Sequence, residues 1–172
     1  MVEDGAGCGR QERVKRLAGS DSNPEDAGGG EETFGVALAR GVCRALHHRG
    51  AATLTEFTLR SGRRADVIAV ADDGRVTIVE VKTSVADFRA DGKWPEYRDY
   101  CDYFYFAVPE DFPRELLPGD CGIMVADSYD ALVLRPAEEA PINATRRRAL
   151  ILRIARTAAQ RLSAWTDPRN GT

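Results

Sequence analysis

Asp66, Glu80 and Lys82 stand out against their surroundings, because the runs that carry them, Arg64–Val70 and Val76–Lys82, are otherwise almost wholly apolar. Both runs are rich in β-branched residues and short enough to be strands, and the Asp72-Asp73-Gly74 stretch between them is a hairpin signal. If that loop has three residues with Gly74 in the left-handed conformation, Ala71 pairs with Arg75, Ile68 faces Ile78, and Asp66 faces Glu80. Directly opposed residues share a face of the sheet, as do Glu80 and Lys82 two apart. The register therefore predicts an Asp, a Glu and a Lys within roughly 5–8 Å of one another. A two-residue loop would flip one strand and scatter them.

Two carboxylates side by side on a buried sheet repel each other and lose hydration, unless a cation lies between them. A hard divalent ion suits such a site. Mg²⁺ takes one or two carboxylates, a backbone oxygen and several waters, which leaves positions open for a phosphate. Lys82 then positions a water or stabilises charge growing on phosphoryl oxygens. The plainer alternative is that Asp66 ends its strand in solvent while Glu80 and Lys82 form an ordinary edge pair. Taken alone the pattern is common; the apolar context of both runs and the order of the flanking elements favour the chemical reading.

That order follows from periodicity and turn signals. From Thr33 to His48, Phe34, Leu38, Val42, Ala45 and Leu46 recur at helical spacing, and Gly50 is placed to end the helix. Thr53 to Leu59 reads as a first strand, turning at Arg60-Ser61-Gly62. If that loop also has three residues, Leu59 pairs with Arg63 and Glu56 joins the row opposite Asp66, as an auxiliary metal ligand or water-orienting base; a solvent-facing glutamate is its plainer role. After Lys82 the chain turns into helical structure, with Pro95 in the first turn of a helix. Asp102–Val108 is an aromatic strand closed by Pro109. The expected order is helix, three strands, helix, strand, and a helical crossover makes the third and fourth strands parallel. Beyond it, Glu110–Leu117 reads as a short helix, Cys121–Ala126 and Ala131–Arg135 as an extra hairpin, and Asn143–Trp165 as a C-terminal helix with Ile151, Ile154, Ala155, Ala158 and Leu162 on a docking face.

The spacing of Asp66 and Glu80-Val81-Lys82 resembles the PD-(D/E)XK nuclease superfamily, with Ala65 where the family name has proline. More narrowly, Gly62-Arg63-Arg64-Ala65-Asp66, Glu80-Val81-Lys82-Thr83-Ser84, Asp87-Phe88-Arg89 and Lys93-Trp94-Pro95-Glu96-Tyr97 resemble the bacterial MmcB-like DNA repair family, over about Thr33 to Pro136. The resemblance implies an α/β fold with a restriction-endonuclease-like αβββαβ core and a mixed sheet. It also implies a metal-dependent deoxyribonuclease acting in repair: Asp66 and Glu80 bind Mg²⁺ or Mn²⁺, the Val81 carbonyl adds a ligand, and Lys82 orients the attacking water. A glutamate on the first helix often helps bind metal in that superfamily, which makes Glu31 and Glu32 further candidates; their ordinary explanation is the helix dipole.

Arg89, Lys93, Trp94, Tyr97 and Arg98 form a basic and aromatic cluster after the lysine strand, able to hold a phosphate backbone and stack a base. For Trp94 and Tyr97, core packing is the favoured alternative. Asp87 and Ser84 either support the site or cap a helix. The 172 residues suit one domain with a real core, and the net charge of −3 argues against a generally basic nucleic-acid coat, so any DNA contact must come from local clusters. Cys8, Cys43, Cys101 and Cys121 lack the short paired spacing of a zinc or iron–sulfur site. His47-His48 reads as surface at a helix end.

Residues 1–30, polar and Gly-rich, are expected to be a disordered tail, 31–166 a single nuclease-like domain, and 167–172 a flexible end. With no signal and no membrane-length apolar run, the expected setting is the cytoplasm, with DNA and other repair proteins as partners. Two rivals stand beside the deoxyribonuclease. One is a non-catalytic DNA-binding or adaptor module that keeps the nuclease fold, the other a nuclease acting on RNA.

Overall fold

The structure is a computed structural model and describes residues 33–167. The expected tail, Glu31, Glu32, Cys8 and the expected flexible end, Asp167 apart, lie outside them. Helix α1 (Phe34–His47) is followed by strands β1 (Ala52–Thr58), β2 (Arg64–Val70) and β3 (Val76–Val81). A short helix α2 (Val85–Ala90) and a 3₁₀ segment (Trp94–Tyr100) lead to β4 (Tyr103–Val108). Strands β5 (Gly122–Ala126) and β6 (Ala131–Arg135) and the long helix α3 (Ala144–Thr166) complete the described residues. The six strands of the described residues lie in one open mixed sheet in chain order. Pairing is parallel between β3 and β4 and between β4 and β5, and antiparallel elsewhere.

Both loops that decide the register have three residues. Ala71 N–H donates to Arg75 O at 3.0 Å and Leu59 N–H to Arg63 O at 2.6 Å, with Gly74 at φ +80° and Gly62 at φ +85°, the left-handed conformation in which glycine has no Cβ to clash. Ile68 therefore faces Ile78, and Leu54 faces it from the other side. Because helices or loops cover both faces, the central strands are apolar on both. On one face α1 lays Leu38, Val42, Ala45 and Leu46 over Val67, Val79, Ala107 and Met124. On the other, Phe57, Ile68, Ile78, Phe104 and Phe106 pack under Tyr97, Phe112, Leu117 and Leu150.

Helix α1 approaches the β5–β6 turn closely at Gly41, where a Cβ would lie 2.1 Å from the Asp127 carbonyl oxygen. Alanine is the better helix former, yet the obstacle here is backbone. Gly41→Ala is expected to destabilise the protein by about 1–3 kcal/mol in chemical denaturation, the cost of overpacking.

Several expectations need correction. Phe34 is 56% exposed because it opens α1 at the rim of the sheet, so the core stripe begins at Leu38. The crossover between β3 and β4 is a six-residue helix and a 3₁₀ segment instead of longer helices, and Glu110–Leu117 keeps only a 3₁₀ turn at Arg114–Leu116. Helix α3 packs its large apolar residues on the core by its first half alone: Leu150 is buried and Ile154 packs on the core, whereas Leu162 is 64% exposed. His47 and His48 are exposed, and Cys43, Cys101 and Cys121 are free thiols, the last two buried.

Candidate active site

The N-terminal half of α1 and one end of β1–β3 enclose a cleft of about 790 Å³, into which Glu56, Asp66, Glu80, Val81, Lys82 and Asp87 all project part of their surface. Continuing the β2–β3 pairing sets Asp66 against Glu80. Side chains stitch the two strands together here: Asp66 N–H donates to Glu80 Oε1 at 3.3 Å, and Val81 N–H donates to Asp66 Oδ2 at 2.8 Å. Lys82 Nζ lies 3.8 Å from Glu80 Oε2. Glu80 and Lys82 are buried, so the three side chains expected on one face do meet, in a largely desolvated place.

Burial pushes the Glu80 carboxyl up to about 8, and the Asp66 charge beside it adds to the shift. Asp66 is also raised, first by burial, against the opposing pull of the Val81 N–H and Lys82. Burial would lower Lys82, but its hydrogen bond to Asp91 and the surrounding carboxylates outweigh that and raise it, keeping the ammonium charged. Asp91 Oδ2 accepts from Lys82 Nζ at 2.7 Å. Sequence reasoning passed over Asp91, which sits where α2 ends and no periodicity marks it; a carboxylate within ten residues of a buried lysine was the available signal.

Glu56 reaches the same cleft, and the flanking pairs Thr55–Val67 and Phe57–Ala65 set it level with Asp66. The strand is irregular there. Glu56 has φ +51°, and Leu54 and Phe57, three residues apart, pack on the same apolar cluster. A left-handed non-glycine residue costs on the order of 1 kcal/mol or more; Arg161, which donates to the Thr55 and Glu56 carbonyls at 2.6 and 2.9 Å, offsets it. The Glu56 carboxylate is paired with Arg64 Nε at 2.5 Å.

Ser84 caps α2, accepting from Asp87 N–H at 3.2 Å while Asp87 Oδ2 accepts from Thr83 N–H at 3.1 Å, so the capping alternative describes both. Tyr97 is buried, stacked 6.2 Å from Phe104, with its hydroxyl donating to Arg64 O at 2.9 Å. Trp94 stacks on Phe104 at 5.7 Å and carries the Arg98 guanidinium 5.2 Å from its ring centroid. Both rings are committed to packing. Arg89 and Lys93 remain exposed beyond the cleft-forming strand.

Among the described residues no group of three or more His, Cys, Asp or Glu side chains is arranged to hold a metal ion. The fit for a hard cation thus rests on two carboxylates and backbone oxygen, a set that suits Mg²⁺ or Mn²⁺, which keep several waters. Burial is the main reason both carboxyls are raised, and a cation between them would favour their charged forms.

Fold and site together describe a mixed α/β domain with a carboxylate pair and a charged lysine in a cleft at the sheet's end. Residues 21–169 match the family model described as DNA repair protein MmcB-like, and the chain belongs to that family. A solved structure, the SPO1766 protein of unknown function from Silicibacter pomeroyi, is similar at 42% identity with a TM-score of 0.78, covering 81% of this chain and 95% of that one. No curated protein matches.

Proposed function

We propose that the protein is a metal-dependent nuclease-like enzyme of DNA repair, with a PD-(D/E)XK core, that hydrolyses phosphodiester bonds in DNA. The observation that carries this reading is the pairing of two desolvated carboxylates from adjacent strands, with a lysine two residues beyond the second, in an open cleft. Asp66, Glu80 and the Val81 carbonyl would hold Mg²⁺ or Mn²⁺. When bound, the ion supplies Lewis-acid charge to the phosphate and lowers the pKa of water.

The chain's own residues do the rest. Lys82 is protonated, so it acts as a donor: with Asp91 holding one of its N–H bonds, the others point a water or a phosphate oxygen. Water oxygen bonds to phosphorus and gives up a proton to solvent, one P–O ester bond breaks, and the departing oxygen takes a proton from solvent. Glu56, already neutralised by Arg64, serves at most as an auxiliary group. Arg89 and Lys93 are proposed as backbone contacts; Trp94 and Tyr97 support the crossover from within the core.

The test is cleavage of labelled single-stranded, duplex, flapped and crosslinked DNA in Mg²⁺ or Mn²⁺. The native protein should cut at least one substrate, with Asp66→Ala and Lys82→Ala slower by at least about a hundredfold. If nothing is cut, or the variants cut equally well, the catalytic reading fails, and retained DNA binding favours an adaptor.

A further inference from the structure

A second cavity, of about 440 Å³, opens where the β1–β2 turn meets the first turns of α3. Arg60, Arg146 and Arg153 line it, over a floor that includes Tyr100 and Leu150. Three guanidiniums around one hollow are a local exception in a chain of net charge −3. Among the described residues only Asp99 forms an ion pair with any of them, 3.8 Å from Arg146. One Arg146 N–H goes to the Asp99 carbonyl at 2.6 Å, which leaves most of the cavity's guanidinium donors for something else.

Two of these side chains are held in place before any ligand arrives. Arg146 lies 5.6 Å over the Tyr100 ring and Arg153 5.7 Å over Phe57. Stacking reduces the side-chain entropy that binding would otherwise cost, and a planar fork fits two oxygens of one phosphate. The first-turn N–H groups of α3 take no part, because Asn143 Oδ1 already accepts from Thr145 and Arg146.

The cavity's placement indicates what the anion belongs to. Arg60 is four residues beyond Glu56, hence no more than about 13 Å along the strand from the level of Asp66. Arg146, Arg153 and Arg161 recur at spacings of seven and eight, on one stripe of α3, and Arg161 is fastened to the carbonyls of Thr55 and Glu56 beside the cleft. Helix α3 thus lays a cationic row along the edge strand β1, from the cavity to Thr55 and Glu56 at the rim of the cleft.

We propose that the Arg60–Arg146–Arg153 cavity binds a backbone phosphate of a nucleic-acid strand and anchors it a few nucleotides from the Asp66–Glu80 cleft. The inference rests on the nuclease reading only for the identity of the polymer.

Binding of fluorescent single-stranded and duplex DNA by the full chain, followed by anisotropy in EDTA, separates this site from the metal chemistry. Arg60→Gln should weaken binding about three- to tenfold at 100 mM salt. Arg60→Gln/Arg153→Gln should weaken it at least tenfold and flatten the slope of log affinity against log salt by about 1–2. Arg148→Gln, on the same helix but outside the cavity, should stay within about twofold of native. Arg60 sits in an exposed turn, so its single variant reports even if loss of Arg153 from the Phe57 ring disturbs folding. The proposal is overturned if natively folded variants keep native affinity and slope, or if the native protein does not bind DNA. Native protein that binds but never cuts in Mg²⁺ sinks the nuclease reading and leaves the anchor standing, provided the variants bind as stated.

Discussion

Asp102→Ala is expected to lower the melting temperature by roughly 10 °C, the largest loss of any single substitution outside the apolar core. This carboxylate is buried at the entrance to β4. It accepts from Val76 N–H at 2.7 Å, from Ile142 N–H at 3.0 Å and from Arg147 Nη2 at 2.7 Å. Its own N–H donates to Val76 O at 2.7 Å and its carbonyl accepts from Ala140 N–H at 2.8 Å. One residue therefore ties α3 and its lead-in to the start of β3, the strand whose other end carries Glu80 and leads into Lys82. Removing it leaves two backbone donors and a guanidinium without their acceptor. Breaking a buried ion pair costs about 3–5 kcal/mol.

Arg147→Ala should cost a similar amount, since it strands the buried carboxylate, and the double variant should cost well under the sum, which a thermal double-mutant cycle reads directly. Burial alone would raise the Asp102 pKa, but Arg147 and the two backbone N–H groups outweigh it and hold it below the ordinary value of 3.8. A depressed carboxyl stabilises above its unfolded pKa. This contribution is therefore intact at neutral pH and is lost as pH falls below about 4.

Glu80→Gln should move stability in opposite directions with and without metal. The Glu80 carboxyl lies near 8 in the fold, against 4.5 for an ordinary glutamate. Between those values the folded state holds a proton that the unfolded chain has released, so the metal-free protein loses stability as pH rises through that window. Glutamine carries no such penalty. At pH 9 in EDTA the variant should melt roughly 5–10 °C above native, a few kcal/mol at this chain length. Saturating Mg²⁺ or Mn²⁺ should stabilise the native protein and leave Glu80→Gln nearly unmoved. Because the ion must displace a proton, native metal affinity should rise with pH up to about 8 and then level off. Differential scanning fluorimetry across pH with and without the ion checks all three statements. Equal stabilisation of both proteins by the metal would remove Glu80 from the ion site.

The carboxylate pair was legible because a hairpin converts sequence into geometry: a three-residue loop ending in glycine fixes which residues oppose, and both Gly62 and Gly74 lie in the conformation that such loops need. The order helix, three strands, helical crossover, parallel strand followed from the same kind of local signal. Asp91 and Asp102 were not legible as partners. Each occupies a junction between elements, where no periodicity says which distant group the side chain will meet, and Asp102 reads simply as the first residue of an aromatic strand, which in the structure begins at Tyr103. The left-handed Glu56 was hidden too, since its register is as expected while its conformation depends on Arg161, more than a hundred residues away. Helix α3 misled in another way: its apolar stripe runs its full length, but the sheet beneath it ends, so Leu162 and Trp165 have nothing to cover them among the described residues.

The central claim, that Asp66 and Glu80 share a divalent ion, is tested most directly by crystals grown in Mn²⁺ and measured at the manganese absorption edge. One anomalous peak within coordination distance of both carboxylates, absent in Asp66→Ala, is the predicted result. A fully occupied lattice soaked in saturating Mn²⁺ above pH 8 that shows no peak between them would contradict the account.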